Sequence, residues 1–93
     1  MTGYLLTPAL LEQFACALGQ EERAAGTVEK YRRDLAGFSA WLEGRPVDAG
    51  TAAAWKESLL ASGLAPVTVN SKLSALNSFF RFQGWACRVK FVK

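Results

Sequence analysis

Apolar residues recur at steps of three and four along most of this chain, which is the spacing of one face of an α-helix. Thr7 and Pro8 open the first such segment, because threonine can cap a helix and proline is tolerated at the first helical position. We therefore predict a first helix from about Pro8 to Glu22. Its apolar stripe consists of Leu10, Leu11, Phe14 and Leu18.

The second segment carries the strongest periodic signal. Gly26 and Thr27 mark the break after the first helix. Thr27 is predicted to cap the second helix, which ends at Gly44. Its apolar stripe follows alternating steps of three and four and consists of Val28, Tyr31, Leu35, Phe38 and Leu42.

Two more helices are predicted after a connecting loop from Gly44 to Gly50. Thr51 is expected to cap the third, which ends near Gly63 and buries Trp55, Leu59 and Leu60. Pro66 opens the fourth and Gly84 ends it. The apolar stripe of the fourth helix consists of Val69, Leu73, Leu76, Phe79 and Phe80. With no strand periodicity between hairpin turns, the predicted fold class is all-α, a compact four-helix bundle.

Composition narrows the possible chemistry. Ninety-three residues with 51% apolar content suit one domain with one core, and the sequence has neither a membrane-length apolar run nor a signal-peptide pattern. We therefore expect a cytoplasmic protein without a membrane partner. Histidine is absent, which removes His-based metal sites and the commonest nucleophilic systems, so we expect no catalytic residue in this chain. We also expect no metal, cofactor or small-molecule substrate. Cys16 and Cys87, far apart in sequence and in no C-x-x-C arrangement, are expected to be buried free thiols, with a disulfide as the alternative.

Charge is distributed unevenly along the chain. The net charge is only +3, yet no acidic residue occurs from residue 64 onward. The basic residues there are Lys72, Arg81, Arg88, Lys90 and Lys93. A polyanion is therefore a plausible partner for the C-terminal third.

Two helix faces are candidates for contact with that partner. On the second helix, Lys30 and Arg33 are predicted to point outward together, opposite the apolar stripe; such a pair is often only a solvated face. On the fourth helix, the outward residues are Val67, Ser71, Ser74 and Ser78, flanked by Thr68, Asn70, Lys72 and Arg81. Ordinary exposed helix faces mix acids with bases, whereas this acid-free surface of small polar side chains suits a DNA groove.

The aromatic residues and tyrosines have structural interpretations. Phe79, Phe80, Phe82 and Trp85 could form a stacking platform for single-stranded bases, but their helical spacing favours packing. Tyr4 and Tyr31 are expected to be structural, since neither has a histidine to activate it.

Two segments together resemble a known family. Residues Thr27–Leu42, with the pattern T-x-x-x-Y-x-x-x-L-x-x-F-x-x-W-L, and Gly63–Phe80, with G-L-x-x-x-T-V-x-x-x-L-S-A-L-x-x-F-F, resemble the core-binding domain of tyrosine recombinases. This is also described as the SAM-like N-terminal domain of phage integrases. The resemblance covers nearly the whole chain.

The resemblance implies a DNA-binding role without catalysis. In that family the domain forms half of a C-shaped clamp on double-stranded DNA, its second and fourth helices cross the major groove, and recombinase protomers assemble together. The residues that the resemblance assigns to DNA contact are Thr27, Lys30, Arg33, Thr68, Ser71, Lys72 and Ser74. The family's catalytic residues belong to a C-terminal domain. Residues 1–84 are thus expected to be the core-binding domain and residues 85–93 the start of a linker to a catalytic domain absent here, in a bacterial or phage-encoded parent.

The chain departs from the family pattern at two positions, and two other functions are possible for it. Ala65 stands where the family commonly has a serine or asparagine, so the cap of the fourth helix is expected to be weaker. Asn77 stands where a basic residue is frequent, which is expected to reduce the affinity for DNA. A helical protein-interaction module would instead expose large apolar anchors on the fourth helix, where serines stand. A self-contained enzyme is disfavoured by the lack of histidine and of carboxylates paired on one face.

Overall fold

The computed structural model describes residues 3–21 and 24–92. In this part of the chain the α-helices are α1 (Pro8–Gln20), α2 (Ala25–Leu42), α3 (Ala49–Ala61) and α4 (Pro66–Gln83). α2 packs against all three other helices, and α4 also packs against α3. The predicted all-α four-helix fold is confirmed. None of the described helices is long and apolar enough to cross a membrane.

The core lies where the predicted stripes converge. Phe38, Phe79 and Phe80 are its largest fully buried side chains. The Phe14 ring joins α1 to the core, with its centroid 5.5 Å from that of Phe79 and 6.2 Å from that of Tyr31. The α4 stripe is therefore buried as predicted, whereas the first residues of the α1 and α2 stripes, and Leu59 and Leu60 of α3, are only partly buried against the core. The rotation of α2 and α4 about their axes is fixed by this burial.

Helix caps confirm some predictions and correct two. Thr7 caps α1, with its hydroxyl accepting from the Leu10 N–H at 3.3 Å, and Gly84 ends α4 with a left-handed φ of 71°. Thr27 does not cap α2. That helix begins earlier, at Ala25, and the Thr27 N–H already donates to the Ala24 carbonyl at 3.0 Å, so the first turn has formed before Thr27.

The cap of α3 is also one turn earlier than predicted. Asp48 is the N-cap, and its carboxylate accepts from both the N–H and the hydroxyl of Thr51, at 2.7 and 3.0 Å. Thr51 is therefore a donor to the cap and not the cap itself. A carboxylate at this position satisfies an orphan N–H and interacts favourably with the positive end of the helix dipole.

Helix ends and thiols give three further outcomes. α1 stops at Gln20 with Glu21 as its C-cap, and the predicted end at Glu22 lies outside the described residues. Both cysteines are free, and Cys87 is buried as predicted, but Cys16 is exposed. The prediction for Cys16 is wrong because two residues turn a helix by about 200°, which places Cys16 opposite buried Phe14.

The residues after α4 pack onto the bundle. Residues 85–92, which we call the C-terminal segment, form neither helix nor strand, yet Cys87 and Val89 are buried. Tyr4 helps to hold the start of the segment: its ring stacks on Trp85 at 4.6 Å and its hydroxyl accepts from the Ala86 N–H at 3.1 Å. The structural role predicted for Tyr4 agrees with these contacts.

Candidate nucleic-acid interface

The outward face of α4 consists of short polar side chains. Val69, Leu73 and Leu76 are fully buried on the opposite side, which fixes the rotation of the helix. Thr68 is exposed, and Ser71 and Ser74 are half-buried. The sequence from residue 64 to the end contains no acid, so this face has no negative side chain of its own.

Between α2 and α4 lies an ionic cluster, which we call the ionic seam. Asp34 is only 5% exposed, and its two oxygens contact Lys30 Nζ at 2.5 Å and Lys72 Nζ at 3.2 Å. Lys30 also donates to the Ser71 carbonyl at 3.2 Å, so α2 and α4 are joined by one carboxylate and two ammonium groups. A buried carboxylate is costly without counter-charges, and two lysines supply them.

The seam corrects the predicted direction of Lys30. This side chain was expected to point outward with Arg33, but it bends toward α4 to meet Asp34, four residues along the same helix. Its side chain is 35% exposed and that of Lys72 is 29% exposed, so both retain access to solvent. With one carboxylate between two ammonium groups, the seam presents a net charge of +1.

The remaining predicted contact residues are not part of this seam. Arg33 is exposed and forms no ion pair within residues 3–21 and 24–92. Thr27 lies half-buried in the first turn of α2, and Thr68 and Ser74 lie on α4. The structure thus joins Lys30 to Ser71 by a hydrogen bond and to Lys72 through Asp34, and the other four predicted residues lie on the same two helices.

The opposite edge of α2 carries acids. Arg32 pairs with Glu12 of α1 and lies 3.6 Å from Glu29, one turn back on α2. The hydrogen bond and the charge of Glu12 raise the pKa of Arg32 above its usual value. Cations facing α1 are therefore compensated by carboxylates on the surface, in contrast to the acid-free face of α4.

Two asparagines on the other edge of α4 hold the C-terminal segment; we call them the amide clamp. Asn77 donates to the Val89 carbonyl and accepts from the Val89 N–H, both at 2.9 Å. Asn70 does the same with Val92, at 2.9 and 2.6 Å. Each side-chain amide thus bonds to both the N–H and the C=O of one residue of the segment, as a neighbouring β-strand would.

The amide clamp was missed from the sequence, although a signal existed. Asn70 and Asn77 are seven residues apart, which places them two turns apart on one face of α4. The segment that follows has buried Cys87 and Val89 alternating with exposed Arg88 and Lys90. Asn77, interpreted as a departure that weakens DNA binding, is engaged by the backbone of Val89 instead.

Comparison with known proteins identifies related sequences. Residues 11–86 match the family model described as "Phage integrase, N-terminal SAM-like domain". The chain is also 41% identical over 81 residues to a protein named tyrosine recombinase XerC from Erythrobacter litoralis (strain HTCC2594). That alignment covers 80% of this chain and 24% of the relative, so the chain spans about a quarter of the relative's length. No solved structure matches the chain significantly.

Proposed function

Since the chain belongs to the phage integrase N-terminal SAM-like domain family, we propose that it binds double-stranded DNA for a tyrosine recombinase, with α2 and α4 facing the duplex. The single observation that carries this proposal is the acid-free outward face of α4 beside the cationic seam. Small hydroxyl side chains let a helix approach a groove closely, and nearby cations neutralise phosphates.

Each predicted contact residue has a place in this proposal. In this proposal Ser71 and Ser74 of α4 face the DNA groove, and Thr68 lies about one turn nearer to the N-terminus of that helix. On α2, exposed Arg33 is the cation most available to a phosphate. Thr27 lies at the start of that helix, where it contributes a hydroxyl.

The two seam lysines are charged ligands whose position is set in advance. Lys30 and Lys72 are anchored on Asp34, so their ammonium groups stay between α2 and α4 before any DNA arrives. Each ammonium has three donors and uses only one or two of them within the described residues. Because each lysine side chain is about a third exposed, the spare donors can bond to phosphate oxygens.

A division of labour follows from the family. We propose that residues 1–84 form the helical core of the DNA-binding unit and that residues 85–93 lead from it toward a separate catalytic domain. We also propose that other recombinase protomers assemble with it on DNA. The relative named a recombinase is about four times as long as the matched region, which leaves room for such a domain there. The chain then contributes affinity and orientation to the reaction and not the cleavage chemistry.

The distribution of apolar residues favours DNA over a protein partner. Val67 is 75% exposed and Phe82 is 45% exposed, but they lie at opposite ends of α4. Fifteen residues of helix separate them by about 22 Å. Serines occupy the face between them, so α4 does not present the continuous apolar stripe with which a helix docks onto a protein groove.

Ser74→Glu tests the proposal. A carboxylate on the groove-facing side of α4 should weaken duplex binding by at least about tenfold, since placing like charges together across an interface costs several kcal/mol. The matched control is Ser58→Glu, which makes the same change at an exposed position of α3. Duplex titrations at one fixed salt concentration measure both, and thermal melts verify that each variant is folded.

Three results are informative. A selective loss in Ser74→Glu supports α4 as the groove-facing helix. Equal losses in the two variants would show only a response to net charge. Undiminished binding by a folded Ser74→Glu variant would contradict the proposal.

A further inference from the structure

A groove of about 720 Å³ runs between α4 and the C-terminal segment. Its polar lining residues are Ser74, Asn77, Ser78, Arg81, Arg88 and Lys90, and apolar residues of the segment complete it. Ser74 therefore belongs both to this groove and to the α4 face described above. The groove continues the candidate DNA interface toward the end of α4.

The groove collects cations that have no acidic partner. Arg81, Arg88 and Lys90 are all exposed, and none of them forms an ion pair with another described residue. By contrast, Lys30 and Lys72 share Asp34, and Arg32 has two glutamates. The uncompensated positive charge of the C-terminal third is thus concentrated along one groove.

The amide clamp fixes how two of these cations are presented. Asn77 binds both backbone groups of Val89, whose side chain is buried. In an extended segment successive side chains alternate, so Arg88 and Lys90 both point away from the core. Their Cα atoms are about 6.6 Å apart along the segment. Two cations on a clamped, extended segment form a row and not a mobile tail.

We propose that this groove is a second DNA contact that holds the sugar–phosphate backbone of the duplex, with Arg81, Arg88 and Lys90 as phosphate ligands. The inference rests on the proposed function of α4, because Ser74 joins the two surfaces. The proposed contact does not involve the edges of the bases. Its exposed cations neutralise phosphates regardless of sequence, while exposed Phe91 offers an apolar surface to the deoxyribose.

The test is the salt dependence of duplex binding by the 93-residue chain carrying Arg88→Gln and Lys90→Gln. Loss of two phosphate contacts should lower the slope of log affinity against log salt by about 1.8, because each contact contributes about 0.9. The matched control carries Arg32→Gln and Arg45→Gln, which remove the same charge from surfaces that do not line the groove. Its slope should change by less than half as much.

The outcomes separate this inference from the proposed function. If Ser74→Glu weakens binding while the slope of the groove variant equals that of the parent, the groove is not a DNA contact and α4 still is. If the parent chain does not bind duplex DNA, both proposals fail. Equal slope changes in the groove variant and the control would also overturn the inference. So would a groove variant that binds a polyglutamate peptide more weakly than the parent does but binds DNA equally well.

Discussion

The two edges of α4 are held by different chemistry. On one edge the ionic seam joins α4 to α2 through Asp34 and two lysines, each about a third exposed. On the other edge the amide clamp joins α4 to the C-terminal segment through neutral hydrogen bonds from Asn70 and Asn77. One edge of α4 is therefore held by ion pairs, and the other is held by directional hydrogen bonds between neutral groups.

This difference separates two functions of a side chain. Ammonium groups tolerate many approach directions and exchange one anion for another, so the seam can admit phosphates without being rebuilt. An asparagine amide bonded twice to one residue fixes the register of that residue and has nothing left for a ligand at those atoms. The seam suits contact with DNA, and the clamp suits the construction of the surface beside it.

The largest expected effect comes from removing the clamp. Asn70→Ala with Asn77→Ala should lower the free energy of unfolding by about 2 to 6 kcal/mol, since four hydrogen bonds each contribute about 0.5 to 1.5 kcal/mol. Urea unfolding measures the loss, which should be the same at low and high salt because the clamp is neutral. Gln13→Ala with Gln20→Ala removes two exposed amides from α1 and should change stability little. A loss that disappears in high salt would contradict the neutral character of the clamp.

Breaking the seam should have a smaller effect that depends on salt. Lys72→Met leaves Asp34 with Lys30 alone and should cost about 1 kcal/mol, below the value for a fully buried pair because both ammonium groups reach solvent. The difference from the parent in urea unfolding should shrink at 1 M salt, where charges are screened within about 3 Å. Lys56→Met is the matched control, since that ammonium contacts a backbone carbonyl, that of Lys90. A salt-independent loss in Lys72→Met would show that packing, not charge, holds this edge.

Local opening of the clamped edge should be visible at Cys87 without global unfolding. Burial raises the pKa of the Cys87 thiol, so alkylation at pH 8 should modify exposed Cys16 first. Asn77→Ala should accelerate alkylation of Cys87 and leave the rate at Cys16 unchanged. Mass spectrometry of peptides after timed alkylation measures both rates in one sample. Equal acceleration at the two thiols would indicate global unfolding.

The smallest effect concerns a charge that touches neither edge of α4. Hydrogen bonds from the Thr51 N–H and hydroxyl hold the pKa of Asp48 below its usual value. Its stabilising effect is therefore fully present above about pH 5 and is lost as the pH falls through the lowered pKa of the folded state. Asp48→Asn keeps a capping side chain, so thermal melts from pH 7 to pH 2 should show a shallower acid decline than in the parent. Parallel declines in the two proteins would remove Asp48 as a source of acid sensitivity.

The sequence predicted what depends on periodicity and failed where contacts depend on tertiary structure. The stripes of α2 and α4 follow from burial of one helix face, so Phe38 and Phe79 were placed correctly in the core. Lys30 was misplaced because a helical wheel gives a direction for Cβ, while a long side chain bends toward the nearest carboxylate. Asp34 lies on the shoulder of α2 nearest α4, which only the packed bundle reveals.

The candidate nucleic-acid interface, like the fold, could be predicted from the sequence only in part. The polar, acid-free face of α4 could be predicted from the sequence, because residue type and helical spacing define it without any tertiary contact. The amide clamp was not, because Asn70 and Asn77 are ordinary surface residues until the backbone of residues 85–92 lies beside them. The Thr27 and Thr51 caps failed for a local reason: another residue, Ala24 or Asp48, begins the helix first.

Tyr4 gives the bundle a mechanical property. Its backbone is paired with Val47 through hydrogen bonds of 2.8 and 2.7 Å, its ring lies on Trp85, and its hydroxyl binds the Ala86 N–H. The beginning of the chain, the loop between α2 and α3, and the start of the C-terminal segment therefore meet at one residue. Tension applied to the far end of that segment is shared first by the asparagines and then by Tyr4. From Tyr4 it passes into the loop before α3, because the backbone of Tyr4 is hydrogen-bonded there to Val47.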